Sequence, residues 1–349
     1  MASSENLGSL VLDLSMSFSR PKLLVYIPTY VDHHLAANQA RMLRAEFNSV
    51  KMDFQVVISV NGVKLTSKDI ENLENSCHRL IIFNESLGGD TNINLGFLSA
   101  LEERADFLWI LSANDTLLMG AGHAIQSAIE NTTSDFLIVG KLSGGVSGII
   151  TNAFSDESAN LPLGLISAVV YRTKVFKEAF ASSLKFAWTG WGQLSVIQNA
   201  LFDRKELKYE LVNEQIIYDR APKTSIAQQL QTNQSSYRHS FFGYPLLIAL
   251  LFEGDKKLAN RLIQKWLRAN WYKIGYFKNG NSPYQLGRHS AHDAFWTGPL
   301  SKPYILKSGI TGSILYLLGH VPFITLTQKF PFFAKSLSSI FKERKSSSP

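Results

Sequence analysis

The sequence predicts an α/β protein, with a mostly parallel sheet covered by helices on both faces and a helical C-terminal extension. Between residues 22 and 140, short apolar runs of strand length alternate with segments of helical periodicity. From about Ser225 onward the apolar pattern lengthens and becomes mainly helical. The composition agrees with a folded chain: hydrophobic residues make up 45% and charged residues 18%, unlike a disordered or collagen-like polymer. At 349 residues there is room for two domains, or for one large domain with an appendage.

The expected strands are Lys22 to Ile27, Phe54 to Val60, Leu80 to Phe83, Phe107 to Leu111 and Phe136 to Val139, each rich in Val, Ile and Leu. Two expected helices lie between them. His34 to Phe47 gathers Leu35, Met42, Leu43 and Phe47 near one face, and Asn92 to Arg104 does the same with Ile93, Phe97, Ala100 and Leu101. Strict alternation of strand and helix implies right-handed crossovers and a parallel sheet. Lys141 to Asn160, rich in Gly, Ser and Asn, reads as a long loop of the kind that binds ligands or is disordered. Leu165 to Tyr171 reads as a strand, and a helix from about Leu194 to Phe202 follows the aromatic turn Trp188 to Gln193. Further on, Phe241 to Phe252 is strongly apolar and Lys256 to Trp271 amphipathic and basic. The divisions expected are an N-terminal extension over 1–20, an α/β domain over 21–222, a helical region over 223–341 and a basic, serine-rich tail over 342–349, with both ends disordered.

Charge is distributed unevenly. Residues 256–349 hold fifteen Lys or Arg against two acids, Asp293 and Glu343, an excess of +13 within a total of +7. A basic segment on a mildly acidic body implies an anionic partner or a solvated basic face. Trp266, Trp271 and Tyr272 interleave with Lys265, Arg268 and Lys273, a mixture shared by nucleic-acid binders and by amphipathic helices at a bilayer. The reading favoured is an anionic membrane surface and no nucleic acid. The best apolar stretch, Ile305 to Thr327, contains Lys307, His320 and Pro322, so lying on a membrane fits better than crossing it. Cys77, the single cysteine, excludes an internal disulfide and reads as a buried apolar residue, and the first twenty residues lack the basic start and apolar run of a secretory signal. The expected setting is the cytoplasm, peripheral on the inner membrane face.

Parallel sheets bind ligands in the crevice beyond the C-terminal ends of their strands, so the residues ending each strand carry the functional reading. The first strand ends in Pro28-Thr29-Tyr30, where proline stops ladder pairing. The second ends in Asn61-Gly62, a turn signal whose Asn can also hold a base or sugar. Four polar residues and three glycines follow the third strand in the loop that includes Gly88, Gly89, Asp90, Asn92, Asn94 and Gly96, more than one helix cap requires. The fourth leads into Ser112-Ala-Asn114-Asp115. A carboxylate there suits a hard divalent cation, Mg²⁺ or Mn²⁺, bridging nucleotide phosphates, although a lone Asp115 serves equally as a helix cap.

In this order the motifs resemble those of family 2 glycosyltransferases with the GT-A fold. Leu87-Gly-Gly-Asp-Thr-Asn-Ile93 and Leu108-Trp-Ile-Leu-Ser-Ala-Asn-Asp115 are similar to the abequosyltransferase-like branch, and Gly164 to Arg172 resembles the strand before its acceptor helix. The resemblance covers about residues 22–215. It implies a nucleotide-binding sheet and transfer of a hexosyl or deoxyhexosyl group, with inversion, from a nucleotide-sugar donor to a glycan or lipid-linked acceptor in cell-surface polysaccharide or lipid-linked oligosaccharide synthesis. Pro28, Thr29, Tyr30, Asn61, Asp90, Asn92, Asn94 and Asn114 would line the donor site, Asp115 would face the metal, and His239 stands where some enzymes of this fold supply a late ligand. Trp188 and Trp191 are candidates for stacking on sugar faces, or for core packing.

Three departures stand out. Ala113-Asn114-Asp115 replaces a triple Asp, and Val60 or Asn61 occupies the place of an Asp that holds uracil or ribose. Gln193 stands at the family's base position, and a carboxamide cannot accept a proton at neutral pH, so either the base comes from elsewhere, such as Asp156 or Glu157, or the correspondence is off by a turn, or transfer is impaired. A non-catalytic, membrane-associated protein that kept the nucleotide-sugar fold is the alternative.

Overall fold

A computed structural model describes residues 20–30, 32–50, 52–140, 147–155, 158, 161–212, 216–219 and 243–270. Strands β1 (Lys22–Thr29), β2 (Asp53–Asn61), β3 (Arg79–Phe83) and β4 (Phe107–Ile110) form the parallel half of the sheet. Their connections carry α1 (His33–Ser49), α2 (Ser67–Glu74) and α3 (Gly89–Glu102). Then come β5 (Asp115–Leu117), α4 (Ala121–Asn131), β6 (Phe136–Ile138), β7 (Gly148–Ile150), β8 (Val169–Arg172), α5 (Thr173–Ser183), α6 (Gly192–Arg204), β9 (Leu207–Leu211) and β10 (Ile217–Asp219). Helices α7 (Tyr244–Leu251) and α8 (Lys256–Asn270) complete the described chain.

Among the described residues the main sheet has eight strands in the order β3-β2-β1-β4-β8-β6-β9-β7, and β5 pairs with β10 in a separate two-stranded ribbon. In the parallel half, Lys22 to Thr29 stand opposite Asp53 to Val60, and Leu23 to Tyr26 opposite Phe107 to Ile110. Side chains of β1 alternate between two cores. Leu23, Val25 and Ile27 face the core that α1 and α4 cover, while Leu24 and Tyr26 face the one built with α3, α5, α6, α7 and α8. Strands buried on both faces have no polar side to show, which is why they read as continuous apolar runs.

The structure differs from the sequence reading in four places. Strict parallel alternation stops at β4, because β8 inserts between β4 and β6 and runs antiparallel to both. The segment expected as a strand from Leu165 begins as a 3-10 turn at Ile166–Ala168. Ser167 explains the turn: its carbonyl accepts the Trp109 indole N–H at 2.8 Å and its hydroxyl accepts the Ser112 backbone N–H at 2.9 Å, so each of these bonds has a side chain on one end and neither is a ladder bond. Within the expected loop of 141–160, Gly148–Ile150 pairs with β9 as strand β7. Helix α3 starts at Gly89, with Gly88 at φ +81° as its N-cap, so Asp90, Asn92 and Asn94 belong to its first turns and not to the preceding loop.

Helices α7 and α8 share the core of the sheet: Tyr244, Leu247, Ile248, Phe252, Ala259, Leu262 and Ile263 are buried in one cluster with Leu24 and Tyr26. Among the described residues, no helix is long and apolar enough to cross a membrane.

Candidate active site

The crevice lies beyond the C-terminal ends of β1, β2 and β4, where the parallel register brings Thr29, Val60 and Asn61 together at one end of the sheet. Thr29 is 6% exposed and its hydroxyl has no hydrogen-bond partner among the described residues, and Tyr30 beyond it is exposed. A buried hydroxyl without a partner is costly, so Thr29 is a strand-end group whose bonding the described residues leave incomplete.

Asn61 holds the next loop in place. Its Oδ1 accepts the Leu87 N–H at 2.7 Å and its Nδ2 donates to the Gly88 carbonyl at 3.0 Å, fixing the chain at the point where α3 begins. Gly62 follows at φ +73°, and a Cβ there would stand 2.6 Å from the Ser86 backbone, so both conformation and space demand glycine. The structure therefore gives Asn61 the turn role that its sequence also allowed, with the amide committed to the loop.

Asn92, expected at the donor site, points inward and is bonded to Tyr26 and Ser59. At 2% exposure, its Oδ1 accepts from the Tyr26 hydroxyl at 3.0 Å and the Ser59 hydroxyl at 2.6 Å, while its Nδ2 donates to the Ser59 carbonyl at 3.1 Å. Burial pushes the Tyr26 phenol up to about 12, against the opposing effect of the Ser59 bond, so it stays a hydrogen-bond donor throughout the physiological range. Ser59 was the signal: it is the polar residue set inside the otherwise apolar run of β2. Asn94 is also buried, donating from Nδ2 to the Asp90 carbonyl at 2.9 Å, with its Oδ1 unpartnered.

Beyond β4 the chain folds back on Ser112. Its hydroxyl accepts the Asn114 N–H at 3.2 Å and its carbonyl the Asp115 N–H at 3.1 Å. Asp115 does not cap a helix: it opens β5, opposite Asp219 of β10 in the antiparallel register. The ribbon thus brings two acidic positions face to face. Among the described residues, no group of three or more His, Cys, Asp or Glu is placed to hold a metal. A hard cation that takes one carboxylate and completes its shell with other oxygen ligands is compatible with Asp115.

The opposite wall is the N-terminus of α6. Gly192 lies against Asn94, whose Nδ2 would be 2.9 Å from a Cβ there, and Gly164 lies against the Trp191 ring, 2.8 Å from its own would-be Cβ. Gln193 is 5% exposed and donates from Nε2 to the Gly164 carbonyl at 2.6 Å, which joins the two glycine segments. Trp191 is half-buried, edge-on to Tyr244 at 5.4 Å and to Trp266 at 5.6 Å, so packing occupies it. Trp188 is 49% exposed and anchored through its indole N–H to the Lys185 carbonyl at 2.9 Å, which leaves its ring the more open of the two.

His33 begins α1 with Nε2 3.4 Å from the Asp69 carboxylate, which closes the capping box of α2 with Thr66. The Thr66 hydrogen bonds hold that carboxyl below its usual range. Cys77 is buried, with its thiol on the Leu73 carbonyl. Asp156, Glu157 and His239 lie outside the described residues.

No protein-family model and no curated protein sequence matches the chain. Solved structures do. S. aureus TarS 1-349 is similar with a TM-score of 0.54 at 11% identity over 88% of this chain and 91% of that one. The same protein in complex with UDP gives 0.52, again at 11% identity, over 88% and 91%. The mostly parallel, eight-stranded sheet with helices on both faces matches the fold of these structures, which is of the GT-A type.

Proposed function

We propose that this protein is a glycosyltransferase that moves a sugar from a nucleotide-sugar to an acceptor hydroxyl. The supporting observation is the crevice itself. The unsatisfied Thr29 hydroxyl, the loop fixed by Asn61 and the acidic ribbon at Asp115 stand at successive strand ends of a fold that TarS shares and in which TarS binds UDP. On this reading Thr29 and Tyr30 meet the base or ribose, with Pro28 shaping the strand end. Asp90, Asn94 and Asn114 line the diphosphate side, and Asp115 faces a Mg²⁺ or Mn²⁺ ion that offsets the charge of the leaving group. Trp188 offers a sugar face, and Gln193 positions the acceptor wall without taking its proton. The base is drawn from Asp156 or Glu157, and His239 is a further ligand for the cation.

The finer reading is a family 2 enzyme of the abequosyltransferase-like branch that transfers a hexosyl or deoxyhexosyl group with inversion. Its acceptor is a glycan or lipid-linked oligosaccharide for the cell surface, and its setting the cytoplasmic face of a membrane. Calorimetric titration with UDP, GDP, TDP and CMP, with and without Mn²⁺, tests the donor site. One of them should bind with a metal-dependent component that Asp115→Asn removes while thermal stability changes by less than about 1 kcal/mol. Binding of none would end the transferase reading. A specific observation keeps a second one in view: the Gln193 amide is committed to Gly164 and Ala113-Asn114 supply no acid. A non-catalytic protein would bind the nucleotide yet release no sugar from any nucleotide-sugar offered with it.

A further inference from the structure

Helix α8 presents opposite chemistries on its two sides. Ala259, Leu262 and Ile263 are buried and Trp266 packs against the same core, with its ring stacked 3.7 Å from Tyr244. Lys257 and Arg261 are exposed on the other side, one helical repeat apart, with Lys256 beside them and Lys265 continuing the row. Glu253 and Asp255 stand at the N-terminal end, where Asp255 accepts the Leu258 N–H at 2.9 Å as a cap; from Lys256 to Asn270 the sequence has no acid. The chain that follows, 271–349, adds ten bases against two acids.

We propose that α8 docks the protein on an anionic phospholipid surface by charge alone, through the row Lys256, Lys257 and Arg261. The side of the helix that would have to enter the acyl region is occupied by α6, α7 and the sheet core, so the helix stays seated and only its basic row meets the headgroups. An unbroken row on a convex helix face matches a plane of negative charge. A single-stranded nucleic acid needs rings beside the bases to stack upon, and Trp266 on this helix is turned inward against Tyr244 and the core. This docking stands apart from the transferase reading, because none of the three residues lies at the crevice.

Co-sedimentation of the full chain with vesicles of 7:3 phosphatidylcholine:phosphatidylglycerol, against pure phosphatidylcholine, tests it. Binding should require the anionic lipid and disappear in 0.5 M salt. It should fall by about 100-fold or more in Lys256→Glu/Lys257→Glu/Arg261→Glu, because each base at such a surface contributes about fivefold. Thermal unfolding and nucleotide titration of the variant should match the parent, which separates loss of docking from loss of fold or of the donor site. Equal binding to neutral vesicles, or binding that survives 0.5 M salt, would show insertion and overturn the proposal. Equal binding by the triple variant would place the contact outside α8. Binding to soluble polyphosphate but to neither vesicle would make the partner an acidic polymer.

Discussion

On the β1–β2 side of the crevice, polar side chains bind one another and the backbone. Asn92 joins Tyr26 and Ser59, and Asn61 joins Leu87 and Gly88. On the α6 side, rings pack on rings, with Trp191 edge-on to a stacked Tyr244–Trp266 pair. Directional bonds fix where a strand end and a loop lie to within tenths of an ångström, which recognition of a nucleotide requires. Packed rings fix a wall but tolerate tilting. The comparison predicts that damage on the first side appears in nucleotide affinity and damage on the second in stability.

The largest expected effect is on the ring side. Trp266→Ala should cost about 3 kcal/mol by removing a large ring from the core, read as a lower urea midpoint at unchanged slope, with nucleotide affinity within about twofold of the parent. A large affinity loss at intact stability would erase the distinction between the two sides. Asn92→Ala comes next. It leaves the buried Tyr26 and Ser59 hydroxyls without their acceptor, at about 2 kcal/mol, and should weaken nucleotide binding as β2 and α3 separate. Asn61→Ala should cost only about 1 kcal/mol, since its partners lie in a loop that water reaches, while raising the nucleotide Kd by a larger factor than that loss implies.

The smallest effect concerns β3 and pH. The Nδ1 of His78 accepts the Val56 N–H at 3.0 Å, and burial, followed by the Arg44 charge, holds the imidazole below its ordinary value. A depressed pKa means that the folded state favours the neutral ring. Its contribution is complete above the unfolded value of about 6.5 and is lost as pH falls through the lower folded value. Denaturant midpoints from pH 7.5 down to 5 should fall less steeply in His78→Gln than in the parent, and parallel slopes would remove His78 as the cause.

Much of the first half of the sheet was legible because β1, β2 and β4 are buried on both faces and composed accordingly. Helix α2 was legible too in principle: Thr66-Ser-Lys-Asp69 is a capping-box signature, and both of its reciprocal bonds form. The place of β8 was not, because its partners Phe107 to Trp109 and Phe136 to Ile138 lie far away in sequence and no local pattern specifies them. At the site, strand-end position pointed to Thr29, Asn61 and Asp115, which the fold sets at the ends of β1 and β2 and the start of β5. The partners of Asn92 were not legible, since a polar residue on the first turn of a helix looks the same in sequence whether it faces a ligand or a buried tyrosine.

The insertion of β8 between β4 and β6 also has a consequence for how the chain is made. Strand β6 is synthesised more than thirty residues before Arg172, the last residue of the strand that joins it to β4. During that interval the exposed edge of β4 is unpaired, and β6 lies nearer to it along the chain than its rightful neighbour does. A nascent protein in this state carries an open sheet edge beside a compatible apolar strand, a setting for wrong pairing that closes once β8 arrives. The slow step of assembly is therefore expected at the middle of the sheet and not at either edge, with the β1–β4 half complete before α6 and its packed rings are in place.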